Sequence, residues 1–155
     1  MRISLLAWLF VCLSSFFHVD LVLAEETITI KDGWVRLVPS VSRTTVAYMV
    51  IRNNSGHPDR LLSAASDIAE RVVLHTTTMS DDGMMHMGHS ASITIPAKGQ
   101  VELGPAGTHL MLMGLTKPLV KGNKVVFDFV FERQGKVNAQ FAISDGAMSS
   151  GSHVH

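Results

Sequence analysis

Met87, His109 and Met111, with His75 upstream, are the residues of this chain whose types and spacing point to chemistry. Eleven residues separate His75 from Met87, twenty-one separate Met87 from His109, and one separates His109 from Met111. Thioether sulfur is soft and uncharged, and imidazole is borderline. Two of each can hold a soft, singly charged ion without deprotonating a thiol, and among the common biological metals that ion is Cu(I). Thioether ligation loses no proton, so affinity is expected to survive mild acid. Imidazole ligation is expected to weaken below roughly pH 6, where free imidazole protonates.

Each residue taken alone has a plainer reading. A methionine in a strand commonly fills core, as expected for Met49 between Tyr48 and Val50. His57, beside Pro58, reads as a loop residue, and Met113 as an apolar wall beside the ligands. The crowding is what argues for a site. Methionines 79, 84, 85, 87 and 111 and histidines 75, 86, 89 and 109 all fall within residues 75–111. His86, Met87 and His89 form a local cluster, and Met148, His153 and His155 form another near the chain's end. Paired imidazoles on such segments suit Cu(II), which prefers nitrogen ligands in tetragonal geometry.

The elements that must position these residues read as strands. Period-two alternation with β-branched residues marks 27–31, 34–38, 45–52, 60–65, 70–76, 125–132 and 137–143. Phe127, Phe129 and Phe131 share one face. Residues 66–70 read as a short helical turn. Asp81-Asp82-Gly83 marks a turn between His75 and Met87, so a hairpin is expected to bring those two onto neighbouring strands. His109 and Met111, two apart after the Gly104-Pro105-Ala106-Gly107 turn, share a face in a strand, with Leu110 and Leu112 on the other. The class that follows is an all-β, Greek-key β-sandwich of one domain, with partly exposed ligands converging at one end.

Composition narrows the setting. Arg2 followed by a nearly uninterrupted apolar run to Phe17, with Val22-Leu23-Ala24 before Glu25-Glu26, reads as a signal peptide over 1–24. That leaves a β-domain over 25–144 and a Gly/Ser-rich tail over 145–155. An uncleaved membrane anchor is disfavoured by the shortness of the run, broken at His18 and Asp20. Val11 is larger than the residue expected before a lipidated cysteine at Cys12. The remaining domain is formally neutral, since Arg2 and Asp20 leave together, and no basic stripe suggests nucleic acid. Cys12 is the only cysteine. A domain without thiols avoids disulfide formation in an oxidising compartment. It also cannot build a blue-copper site, which needs a cysteine thiolate. No Gly-x-Ser-x-Gly or other nucleophile signature appears, so the chain is not expected to be an enzyme.

These motifs resemble those of the periplasmic copper chaperones of the PCuAC family, whose pattern is His-x10-Met-x21-His-x-Met. Met87-x21-His109-x-Met111 matches it, while His75 precedes Met87 by eleven intervening residues instead of ten. The run His-Leu-Met-Leu-Met-Gly-Leu from His109 and the early Trp34-Val35-Arg36 are also similar to the family. The resemblance implies a cupredoxin-like sandwich, with Cu(I) on His75, Met87, His109 and Met111. It implies a periplasmic carrier serving cytochrome c oxidase subunit II, beside Sco-like thioredoxin-fold proteins. By the same resemblance, Met148, His153 and His155 look like a short Cu(II)-binding tail. A monomer is expected. The rival expectation is a copper buffer for resistance, with no dedicated recipient, for which His86, His89, His153 and His155 add capacity.

Overall fold

The computed structural model describes residues 27–79, 84–105 and 107–146, with the backbone alone for 78, 79 and 85–87. The expected signal peptide over 1–24, and Met148, His153 and His155 of the tail, lie outside the described residues. The strands are β1 (Ile28–Arg36), β2 (Thr44–Asn53), β3 (Asp59–Ala65), β4 (Ala69–Met79) and β5 (Met85–Ser90), then β6 (Ile93–Ile95), β7 (Gln100–Leu103), β8 (Thr108–Leu115), β9 (Lys124–Phe131) and β10 (Gly135–Ser144). Residues 66–68 form a tight turn, not a helical one, and Ala69 and Glu70 already belong to β4, with Ala69 N–H donating to the Ser66 carbonyl.

The all-β expectation holds, and the sheet closes. β4, β8, β2, β1, β10, β9 and β3 pair in that order, and β3 returns to β4 through Ala64 and Val72, giving a seven-stranded barrel. Only β1 and β10 run parallel. β5 pairs with the part of β4 that β3 leaves free, and β7 likewise extends beyond β8 along β2. Closure pairs strand edges that an open sheet would leave to other chains.

Strict alternation fills the interior. Phe127, Phe129 and Phe131 of β9 point inward, and the Phe141 ring stacks near the first two. Leu110 and Leu112 of β8, Met49 and Ile51 of β2 and Leu61 of β3 complete the same core. Two buried polar side chains hold the corners. Asp59 accepts from the backbone N–H groups of Arg60, Arg133 and Gln134. Asn53 donates to the His57 carbonyl and accepts from Ser55.

One irregularity matters for the site. Asp32 takes a left-handed backbone (φ 53°), and the β1–β2 register shifts there. Before the shift Ile28 and Ile30 face the core side; after it Val35 does, and Trp34 faces outward opposite Tyr48. A β-bulge does this by inserting one unpaired residue, which reverses the parity of everything that follows.

Candidate metal centre

The inward turn of Leu110 and Leu112 leaves His109, Met111 and Met113 on the outer wall of the barrel. Strand register then builds a row across that wall. His75 of β4 lies opposite His109 of β8 on one side and opposite His89 of β5 on the other. The ring centroids are 6.2 Å apart in both pairs. Tyr48 of β2 continues the row at 6.5 Å from His109, and Trp34 of β1 at 4.8 Å from Tyr48. Five rings thus stand side by side on five successive strands. The row grows drier from the β5 end: His89 is exposed, His75 half-buried, and His109 buried, with 7% of its surface accessible.

Local hydrogen bonding orients one of the two imidazoles and leaves the other untethered at Nδ1. His109 Nδ1 lies 3.1 Å from the Gly107 carbonyl. A carbonyl oxygen only accepts, so Nδ1 carries the proton and Nε2 keeps its lone pair in the neutral ring. An imidazole whose second nitrogen is fixed on a carbonyl is how proteins orient a metal-binding histidine. The same Gly107 carbonyl takes the Thr77 N–H of β4 at 3.4 Å, which ties the loop to the facing strand. Thr76 and Thr108 hydroxyls, 3.1 Å apart, close the neighbouring rung. His75 Nδ1 is buried and has no hydrogen-bond partner. Leaving such a nitrogen unpaired costs about 1–3 kcal/mol, which a bound ion would relieve.

Met111 lies two residues past His109, opposite Val73 of β4 and Val46 of β2. It is half-buried and lines a cleft of about 320 Å³ with Leu37, Val38, Pro39 and Val46. Among the described residues no three His, Cys, Asp or Glu side chains converge on one metal position. A thioether beside the imidazoles would complete a soft site, and Met111 is the methionine on the same face of β8 as His109.

Residues 28–143 match the family described as "Putative lipoprotein LpqE-like". The solution structure of Cu(I)-bound DR1885 from Deinococcus radiodurans is 35% identical and aligns with a TM-score of 0.63, over 76% of this chain and 78% of that one. The chain belongs to the LpqE-like, PCuAC-type family. The copper-bound PCuAC domain from PmoF2 shares the fold, with a TM-score of 0.66 at 24% identity over 77% of this chain and 94% of that domain. A "Putative lipoprotein Lxx21020" from Leifsonia xyli subsp. xyli is 29% identical over 100 residues, 64% of this chain and 59% of that protein.

Within this PCuAC-type fold, His75 and His109 share one rung of β4 and β8, and Met111 lies two rungs along, past Leu74 and Leu110. Met87 of β5 pairs with Thr77, two residues beyond His75, whereas Met111 lies opposite Val73, two residues before it. The two methionines therefore stand on opposite sides of the His75–His109 rung, and the residue directly across from His75 on β5 is His89. β4 and β5 pair without a shift from Leu74/Ser90 to Met79/Met85. His86 pairs with Thr78. The candidate ligands His75, His109 and Met111 lie on β4 and β8, with His109 and Met111 on the outer face of the barrel wall. Tyr48 and Trp34 were not legible as neighbours of the site. Their place depends on β2 pairing with β8 and on the Asp32 bulge, neither of which leaves a short-range signature beyond Asp32-Gly33.

Proposed function

We propose that this protein is a copper chaperone that holds Cu(I) on His75, His109, Met111 and Met87 outside the cytoplasm and passes it to a recipient. The observation that carries this reading is the pairing of two imidazoles with a thioether on one face. His109 keeps the lone pair of Nε2, His75 has a buried, unpartnered Nδ1, and Met111 sits two residues along β8 from His109. Copper bound in the PmoF2 domain and in DR1885 supports it. So does the chemistry: soft, neutral ligands favour holding Cu(I) over cycling it, which fits a carrier better than a redox enzyme. The apolar run over 1–24, and the lipoprotein descriptions of the family and of the Leifsonia relative, support export, and the periplasm is the compartment proposed. The proposed recipient is the copper centre of cytochrome c oxidase subunit II, beside Sco-like proteins. Cu(II) on His86, His89 and the tail residues Met148, His153 and His155 is a secondary proposal.

X-ray absorption on the Cu(I)-loaded protein is expected to count two sulfur and two nitrogen neighbours. A shell of nitrogen and oxygen alone would overturn the assignment. Met87→Ala and Met111→Ala are each expected to weaken Cu(I) by about tenfold or more, 1.4 kcal/mol per tenfold. Unchanged affinity in the double variant would remove the thioethers from the site. A deletion strain separates carrier from buffer. Loss of oxidase activity at low copper supports delivery, and sensitivity confined to high copper supports the exposed histidines as a reserve.

A further inference from the structure

His89 is not needed by a site made of His75, His109, Met111 and Met87, yet it is the residue the register sets directly across from His75. Its ring is as near to His75 as that of His109, 6.2 Å in each case. It is exposed where His109 is buried. His75 is therefore the middle member of a three-imidazole row that runs from solvent into the wall. Two imidazoles on one ion hold their centroids about 4.5–6.3 Å apart, given metal–nitrogen bonds of about 2.0 Å. Both pairs stand at the wide edge of that range, so small side-chain rotations would let either pair share an ion.

We infer that His89 is the exchange ligand of the copper site: Cu(I) enters and leaves through a position shared by His75 and His89, and rests at the position held by His75, His109, Met111 and Met87. The inference rests on the copper reading above and adds a route to it. In the outward step a bond from His89 to copper forms while those from His109 and Met111 break, and His75 and Met87 stay bound throughout. Every ligand in the step is neutral, so no proton moves, and copper remains Cu(I), so no electron does. An incoming ligand from a recipient then meets the ion at the exposed end of the row without entering the wall.

The test measures two quantities on the full exported chain. Equilibrium Cu(I) affinity is read by competition with a chromophoric Cu(I) chelator, and the release rate by mixing the loaded protein with excess of that chelator. For His89→Ala the release rate is expected to fall about tenfold while affinity falls less than about threefold, because the resting ligands remain. His89→Met, which restores a soft ligand without an imidazole, is expected to recover most of the rate; a merely structural role for His89 would not be rescued this way. His57→Ala, at an exposed loop histidine, serves as the control and is expected to change neither quantity. An unchanged rate in His89→Ala, or a rate that falls only in step with affinity, overturns the inference while leaving the copper site standing. Failure of the unaltered protein to bind Cu(I) overturns the copper reading itself and the route with it.

Discussion

His109 and His75 face each other across one rung but are held differently, and the difference sets their roles. His109 is fixed by its Nδ1–H on Gly107, so its geometry is set before any ion arrives. His75 has no such tether on Nδ1, which suits a ligand that turns between two neighbours. At the same scale, Lys121 Nζ donates to Asp145 Oδ2 at 2.7 Å, where the last described residues leave the barrel. That hydrogen bond, a backbone hydrogen bond and the lysine's charge hold the Asp145 carboxyl below its ordinary value of 3.8. The depressed value means the pair stabilises the folded chain above the ordinary carboxylate range, and the contribution is lost as pH falls through the lowered pKa. In Lys121→Met the Asp145 titration, followed by NMR of its carboxyl carbon, is expected to move up toward the ordinary value. An unmoved midpoint would show that the lysine does not set it. The pair is exposed, so little global stability is expected to follow. Residue chemistry was the most legible level in the sequence: the soft ligand set follows from residue types alone. Which histidine faces which did not, because cross-strand partners depend on pairing between distant segments.

At the level of elements, alternation identified the long strands because β-branched and aromatic residues dominate them. β5, β6 and β7 were harder. β5 is Met-His-Met-Gly-His-Ser, and β6 and β7 are three and four residues long, too short for a period to show. The bulge in β1 was hidden for another reason: it interrupts the period that reveals a strand. Gly33 is the residue that makes the bulge fit. A Cβ built there would fall 2.3 Å from the Phe141 ring, which is itself buried among Phe127 and Phe129. Gly33→Ala is therefore expected to push the ring off its packing and cost about 1–3 kcal/mol, the range for overpacking a core. Thermal or urea unfolding would measure this. Because Trp34 follows directly and stacks on Tyr48, its fluorescence is expected to shift in the same variant. Unaltered stability and emission would mean that β1 accommodates the methyl by local movement and that the bulge is not fixed by this contact.

For the whole molecule, a closed barrel and an open sandwich differ by very few pairings, which is why the sequence did not separate them. Here the closing pairing is Ala64 with Val72, while the contacts of β4 with β8 run from Ala69 to Thr76. β4 is the strand on which everything meets: β3 closes the barrel on it, β5 extends it, and β8 supplies His109 and Met111. An ion held by His75 and His109 would clamp β4 to β8 at the rung where the imidazoles face each other, and would bind the folded state but not the unfolded chain as a unit. Linkage then requires copper to raise stability by RT ln(1 + [Cu]/Kd), about 2.7 kcal/mol at a free concentration one hundred times Kd. Thermal unfolding of the exported chain is therefore expected at a higher temperature with Cu(I) than without, by an increment that grows with free copper. His109→Asn, which removes the clamp from β8, is expected to lose that increment. The same increment in the variant would mean that copper stabilises the barrel from somewhere else, and the His75–His109 rung would cease to be its site.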